Sequence, residues 1–195
     1  MEQEHPQSRQ LSQASHGQNQ PRRIFLISPA NASGVRAKML FNERSQFELA
    51  LRIRKSGAPL GEIYNFISGL YFCGKLTYAK NFLNPPAGVP GVHIITPAAG
   101  LVSPGTVVDL TDLRRISSAD VDSGNRLYRT PLNRDARILL KILEPGTEVV
   151  LLGSIATSKY VEPLLEVFGY QYGISGGICG AGRYESRRPA ITKLR

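Results

Sequence analysis

The chain has few of the residues on which metal sites, disulfide frameworks and histidine-dependent catalysis rely. Its 195 residues include two cysteines, three histidines and no tryptophan. Cys73 and Cys179 lie far apart and form no CxxC pair, which argues against a structural zinc site and indicates a reducing compartment. His5 and His16 lie near the N-terminus, so His93 alone stands within a strand-like run. We therefore predict no metal, no cofactor and no Ser–His or Cys–His catalytic arrangement.

Long apolar runs are also missing. No run approaches the roughly 18 residues that a membrane-spanning helix needs. Glu2 and Glu4 stand where a signal peptide would carry positive charge, and no apolar segment follows them. The sequence therefore predicts a cytoplasmic protein with no membrane partner. The formal net charge is +9. Residues 175–195 carry five Lys or Arg and one Glu, so the excess is uneven and is compatible with a nucleic-acid partner without requiring one.

Composition divides the chain into three parts. Residues 1–22 consist mainly of Gln, Ser, His and Asn, and we expect this arm to be disordered because it has little apolar surface to bury. Over residues 23–172, strand-like runs alternate with helical patterns, which predicts one α/β domain. Residues 173–195 are rich in Gly, Arg and Ser, and we expect an irregular basic tail.

Three strand-like runs are each followed by a loop of small or polar residues. The runs are Ile24 to Ile27, Val92 to Ile95 and Val149 to Leu152, and Val107 to Leu110 is a shorter extended candidate. Helical spacing covers residues 36–55, 60–66, 72–83, 130–143 and 158–168, with Thr130 as the expected N-cap of the fourth helix. This alternation predicts a three-layer, Rossmann-like α/β fold with a mostly parallel sheet of four or five strands.

The loops after the strand-like runs carry the candidate binding residues. In open α/β sheets, ligands lie at the carboxyl ends of the strands, where loops meet helix N-termini. Hydroxyl, amide, glycine and basic residues in such loops suit phosphate or ribose contacts. The predicted binding residues are Ser28, Asn31, Ser33, Gly34, Arg36, Gly100, Gly153, Ser154, Thr157 and Lys159. An ordinary capping role for the hydroxyl residues, with the basic side chains solvated, remains the alternative.

Two carboxylates are candidates for acid–base work. Asp135 lies on the predicted 130–143 helix between Arg134 and Arg137, and Asp109 lies in an irregular segment that could fold over the sheet edge. A carboxylate could activate water or stabilise an oxocarbenium-like centre during glycosidic-bond hydrolysis. A surface ion pair is the alternative for Asp135.

A glycine-bracketed aromatic segment precedes the second strand. It reads Gly69-Leu-Tyr-Phe-Cys-Gly74-Lys75. Two glycines around apolar residues predict a close backbone approach between helices at this point. The neighbouring aromatic residues could stack a base, and core packing is the alternative.

Several segments resemble a family of uncharacterised bacterial and phage domains. Residues 66–79 match a Tyr-Ala-containing helix of that family, and residues 94–104 match the strand, Gly-Leu loop and Pro that follow it. Residues 150–153 and 159–164 resemble the family's last strand and helix. The family's loop reads Ser-Ala-Lys-His-Gly-Leu, whereas this chain has Thr96-Pro-Ala-Ala-Gly100-Leu101 and lacks the Lys-His pair. The tail also departs from the family, and a shifted reading frame is our hypothesis for it.

The resemblance implies a compact α/β fold related to the uracil-DNA glycosylase-like group, with a link to nucleobase chemistry. The Ile-Phe-Leu-Ile-Ser-Pro-Ala opening at residues 24–30 is also similar to nucleoside deoxyribosyltransferase-like folds, although no Glu nucleophile is placed. We therefore expect a protein that binds a nucleotide or nucleobase and acts on glycosidic bonds. A non-catalytic nucleotide-sensing module is the alternative.

Overall fold

A computed structural model describes residues 21–154, 158–169 and 174–176. It confirms a mixed α/β fold with a mostly parallel sheet. The strands are β1 Arg23–Ile27, β2 Ala58–Pro59, β3 Val92–Thr96, β4 Gly100–Val102, β5 Val107–Val108, β6 Glu148–Leu152 and β7 Ile174–Gly176. The helices are α1 Val35–Phe41, α2 Glu48–Lys55, α3 Leu60–Ser68, α4 Leu70–Phe82, α5 Leu110–Ile116, α6 Arg126–Ile142 and α7 Ser158–Phe168.

The main sheet has the strand order β4-β3-β1-β6-β7. Strand β1 pairs in parallel with both neighbours, so Phe25 lies opposite Val92 on one side and Val150 on the other. Strand β7 is also parallel to β6, whereas β4 folds back antiparallel to β3. Strands β2 and β5 form a separate antiparallel pair. The carboxyl ends of β1, β3 and β6 therefore lie side by side at one edge.

Side chains of β1 alternate between two apolar clusters, as the two-residue period of a strand requires. Phe25 and Ile27 belong to a cluster that includes side chains of α1 to α5. Ile24 and Leu26 belong to a second cluster that includes side chains of α6 and α7. Both faces of the strand are buried, which explains why its sequence is a continuous apolar run rather than an alternating one.

The chain changes direction across the sheet at β1. From β1 it passes to β3 on one side, and from β4 it crosses back through α6 to β6 on the other side. The helices that follow β1 and β6 pack on opposite faces, because Ala37 and Leu40 of α1 join the first cluster whereas Tyr160 and Leu164 of α7 join the second. The loops after β1 and β6 therefore diverge from neighbouring strand ends, as at a topological switch point.

The single helix predicted over residues 36–55 is wrong. The segment between α1 and α2 is a turn, and its polar side chains bond to nearby backbone groups. The Asn42 Oδ1 accepts from the Arg44 N–H at 3.0 Å, and the Ser45 hydroxyl donates to the Met39 carbonyl at 2.6 Å. These local bonds offer the backbone an alternative to the helical ladder.

The predicted start of the fourth helix at Thr130 is also wrong. Helix α6 begins at Arg126, and the Asn125 side chain caps it by accepting from the Leu127 N–H at 3.0 Å. Thr130 and Pro131 lie within the helix. The Thr-Pro pair is a good start signal, but Asn125 is an equally good cap and lies earlier in the chain.

Among the described residues, none of the helices is both long and apolar enough to cross a membrane. Most of the predicted disordered arm and most of the predicted basic tail lie outside the described residues.

Candidate functional site

A crevice of about 670 Å³ lies at the carboxyl edge of the sheet, between the loop after β1 and the start of α7. We call it the switch-point crevice. Five segments contribute to its wall: the β1 loop, the end of α1, the turn after β3, the end of α5 with the residues that follow it, and the first residues of α7. Its described lining residues are Pro29, Ala30, Asn31, Ala32, Ser33, Phe41, Pro97, Arg114, Ser117, Ala119, Asp120, Val121, Lys159 and Tyr160.

Two basic side chains line this crevice. Arg114 comes from α5, is half-exposed and has its Nη2 atom 3.6 Å from a Glu43 carboxylate oxygen. Lys159 comes from the first turn of α7, and its Nζ atom lies 5.2 Å from the centre of the Tyr160 ring. Asp120 contributes a carboxylate to the same lining. The lining thus carries two cations and one carboxylate, and Glu43 supplies a second carboxylate beside Arg114.

The β1 loop adds hydrogen-bonding groups. The Asn31 Oδ1 accepts from both the Ser33 N–H at 3.0 Å and the Ser33 hydroxyl at 2.7 Å. This local turn fixes both side chains at the crevice wall. Gly34 is the N-cap of α1, and because glycine has no side chain, no side-chain cap hydrogen bond closes the start of this helix. The loop thus presents an amide and a hydroxyl beside the basic residues.

Ser28 lies directly after β1, at the base of the loop. Its backbone N–H donates to the Leu152 carbonyl at 3.0 Å, which extends the pairing of β1 with β6. Gly153 follows β6 at the same level, and a β-carbon at Gly153 would lie 2.8 Å from the Ser28 Cβ. Glycine at 153 is therefore needed for Ser28 to approach. The Lys75 Nζ reaches this position from α4, 2.7 Å from the Ser28 Oγ.

Tyrosine side chains surround this region. Tyr160 lines the crevice, and burial, together with the nearby Tyr71 hydroxyl, raises its pKa to about 12. Burial and the proximity of Tyr160 also raise the pKa of Tyr64 and of Tyr128. These phenols are therefore neutral at physiological pH. Only Tyr160 lines the crevice and gives it an aromatic surface, whereas Tyr64 and Tyr128 are buried in the core.

Arg36, one of the predicted binding residues, lies away from the crevice and beside the glycine-bracketed segment Gly69–Lys75. The Arg36 Nη1 donates to the Phe66 carbonyl at 3.4 Å and packs against Gly69. Gly69 has a φ of +57°, so a side chain there would be strained and would also meet Arg36. Gly74 has no neighbour within 4 Å of a β-carbon position, so the close approach predicted for it is wrong.

The two predicted catalytic carboxylates have local partners. The Asp135 Oδ2 accepts from the Leu101 N–H at 3.0 Å, its Oδ1 accepts from Arg134 at 2.7 Å, and the side chain lies over Gly100. Asp109 is the N-cap of α5 and accepts from the Asp112 N–H at 2.7 Å. Neither carboxylate is among the described residues of the crevice wall.

The structure brings together some of the predicted residues. Asn31, Ser33 and Lys159 line the crevice. Ser28 and Gly153 contact each other at the base of the β1 loop, outside the described lining. Gly34, Arg36, Gly100 and Ser154 are not among its described lining, and Thr157 lies outside the described residues.

Sequence reasoning missed most of the crevice wall and its surroundings, including four side chains that bear on the chemistry of this region. They are Lys75, Arg114, Asp120 and Tyr160. The Gly69–Lys75 motif was a partial signal for Lys75, since a basic residue closing an apolar helical segment is unusual. The sequence carried no signal for Arg114 or Asp120, because their position at the crevice depends on how α5 packs over the end of the sheet.

Among the described residues, no group of three or more His, Cys, Asp or Glu side chains could hold a metal ion. No protein-family model, curated protein or solved structure matches the chain.

Proposed function

We propose that the chain binds a nucleotide, or a related phosphate-bearing nucleobase compound, in the switch-point crevice. The scaffold for this site is the three-layer arrangement with a four- or five-stranded sheet that the sequence predicts. The observation that carries the proposal is the placement of Arg114 and Lys159 on one crevice at the diverging strand ends of β1 and β6.

The shape and chemistry of the crevice support this ligand class. Its volume of about 670 Å³ lies within the range of roughly 300–1,000 Å³ typical of small-molecule sites. Arg114 and Lys159 would hold the phosphate groups, since guanidinium and ammonium groups form charge-assisted bonds with phosphate oxygens. Asn31 and Ser33 offer an amide and a hydroxyl for ribose or base edges. The Tyr160 and Phe41 rings supply apolar surface for the base.

Action on a glycosidic bond is the second candidate function, and one observation favours it. Asp120 places a carboxylate in the wall of the same crevice. Such a group could activate water or stabilise an oxocarbenium-like centre. The roles predicted for Asp135 and Asp109 would require the substrate to extend beyond the described wall. A nucleic-acid partner and the uracil-DNA glycosylase-like relationship also stay predictions.

A thermal-shift titration tests the binding proposal. The full chain is heated with nucleoside mono-, di- and triphosphates, with nucleosides and with free bases. A ligand at 100 times its dissociation constant stabilises the folded state by about 2.7 kcal/mol, which raises the Tm by several degrees. We expect the nucleoside phosphates to give the larger shift.

Matched variants assign that shift to the crevice. Arg114→Ala and Lys159→Ala should each reduce it, whereas Lys80→Ala on α4, outside the described crevice wall, should leave it unchanged. A well-folded protein that shows no shift with any of these compounds would contradict the proposal. So would a shift that both crevice variants retain in full.

A further inference from the structure

A serine and a lysine are in direct contact beside the switch-point crevice, one residue away from its described wall. The Lys75 Nζ lies 2.7 Å from the Ser28 Oγ and 3.2 Å from the Ser28 carbonyl oxygen. Ser28 is 5% exposed and Lys75 is 6% exposed. Both distances are those of hydrogen bonds. The pair is therefore a fixed feature of the interior rather than a chance contact between surface side chains.

The surroundings of Lys75 are unusual for a lysine. Its Nζ atom lies 4.6 Å from the centre of the Tyr71 ring and 5.5 Å from the centre of the Phe72 ring. Lysine is among the residues least often buried, because its charged form loses hydration. Enclosed lysines serve as general bases in enzymes, since desolvation favours the neutral amine, whose lone pair is then available to accept a proton.

The position of Ser28 in the fold is that of a reacting group. It is the first residue after the central strand β1, where the diverging loops leave space above the sheet edge. Gly153 on the adjacent strand end has no side chain to cover it. Pro29, the next residue, already belongs to the crevice wall. A ligand seated against Pro29 would therefore lie one residue from Ser28.

We propose that Ser28 and Lys75 form a nucleophile–base pair that cleaves an ester of the ligand held in the crevice. The identity of the alcohol part, a nucleotide-like anion, rests on the proposed function. Ser–Lys pairs are a known variant of the activated-serine arrangement. Arg114 and Lys159 would hold the anionic alcohol, and the acyl carbon would have to reach past Pro29 to the Ser28 hydroxyl.

The reaction balances with water as the second reactant. The Ser28 Oγ attacks the acyl carbon while its proton passes to the Lys75 Nζ. The ester C–O bond then breaks, and the leaving alkoxide takes that proton, so that an acyl-serine and a free alcohol result. Water next attacks the acyl-serine, loses a proton to Lys75, and releases a carboxylic acid as the proton returns to the Ser28 Oγ.

A purely structural role for the pair makes a different prediction. The Lys75 amine would then do no more than donate to the Ser28 carbonyl and hydroxyl, tying α4 to the end of β1. In that case the Ser28 hydroxyl would be an unactivated, buried group. It would not react with an electrophile faster than an ordinary serine.

Labelling with a fluorophosphonate probe separates the two roles. The folded full-length protein is incubated with the probe, and the modified peptide is located by mass spectrometry. We expect an adduct on Ser28 that is absent in Ser28→Ala and unchanged in Lys80→Ala, an exposed α4 position outside the described crevice wall. Lys75→Ala should label about 100-fold more slowly, the scale of general-base assistance. Added ethylamine should restore part of that rate, which a merely structural defect would not allow.

The proposal is overturned if the folded wild-type protein forms no Ser28 adduct, or if Lys75→Ala labels at the wild-type rate. Lys75→Met, which keeps the apolar stem, serves as the second variant. If neither variant folds, the wild-type adduct decides the question alone. The labelling needs no nucleotide, so a failure to label Ser28 would leave the nucleotide-binding proposal standing. Likewise, a negative thermal-shift screen would leave the labelling result unaffected.

Discussion

The Tyr128 hydroxyl donates a 2.9 Å hydrogen bond to the backbone carbonyl of Lys159. In a regular helix this carbonyl would accept from the N–H of residue 163, but residue 163 is a proline and has no N–H. Tyr128, buried on α6, therefore supplies the donor that α7 lacks. The contact ties the core to the first turn of α7, where Lys159 faces the crevice.

Replacing Tyr128 by Phe should destabilise the protein. It removes the donor to the Lys159 carbonyl while keeping the ring, and an unsatisfied polar group of this kind costs about 1–3 kcal/mol. Urea denaturation of the two proteins measures the change. The Pro163→Ala background provides the control, because it restores an N–H to the helix. There the cost of Tyr128→Phe should fall, and equal costs in both backgrounds would contradict the compensation.

Gly153→Ala should destabilise the fold through overpacking. The new methyl group would lie 2.8 Å from the Ser28 Cβ and 2.9 Å from the Ser28 Oγ, and insertions into packed interiors typically cost about 1–3 kcal/mol. Gly74→Ala is the matched control, since that helical position has open space around it. Alanine there should stabilise by about 0.5–1 kcal/mol. Thermal melts of both variants test this: the Tm of Gly153→Ala should be lower than that of the wild type, and the Tm of Gly74→Ala should be higher.

Asp135 should prove more important for stability than for ligand binding. Its side chain, 19% exposed, accepts from the Leu101 N–H, so Asp135→Ala should cost about 1–3 kcal/mol. Asp135→Asn keeps an acceptor oxygen and should cost less. Denaturant melts measure both, and nucleotide titrations should give unchanged affinities. Loss of binding in Asp135→Asn without loss of stability would instead place this carboxylate at the ligand.

Stability should depend on pH through His93. Burial lowers the pKa of His93 below its ordinary value of 6.5, and this outweighs the opposite effects of a hydrogen bond to the Pro90 backbone and of the nearby Asp135. Below pH 6.5 the unfolded chain binds a proton that the folded state accepts less readily. The free energy of unfolding should therefore fall as the pH drops from 7 to 5.

The variant His93→Gln isolates this contribution. Each unit by which the folded pKa lies below the unfolded one is worth about 1.4 kcal/mol. Urea denaturation at pH 5, 6 and 7 measures how the free energy of unfolding changes with pH. This change should be smaller for the variant than for the wild type. The same pH dependence in both proteins would mean that His93 has the same pKa in the folded and unfolded states, which would contradict this prediction.

The strands were largely predictable from sequence because their apolar runs are bounded by abrupt polar changes. The predicted run Val149 to Leu152 lies within β6, and the predicted last helix, residues 158–168, matches α7. Helix boundaries failed where a polar side chain competes for the backbone, as Asn42 does between α1 and α2. No local pattern could distinguish Asn125 from Thr130 as the cap of α6.

The candidate site was only partly predictable. The residues of the β1 loop and Lys159 follow from the rule that ligands lie at strand carboxyl ends. Arg36 has the same local signal as Lys159, yet it turns away to the Phe66 carbonyl. Arg114 approaches from α5, and Lys75 reaches Ser28 across 47 residues of sequence. Such contacts depend on the packing of helices over the sheet edge, which a single sequence does not specify.

The most direct test of the account is to locate the bound nucleotide. The full-length protein is irradiated with an 8-azidoadenosine nucleotide, and the crosslinked peptides are identified by mass spectrometry. The account predicts adducts within residues 29–33, 114–121 or 159–160, suppressed by excess unmodified nucleotide and reduced in Arg114→Ala. Competable adducts confined to peptides distant from this crevice, or no competable adduct at all, would contradict it.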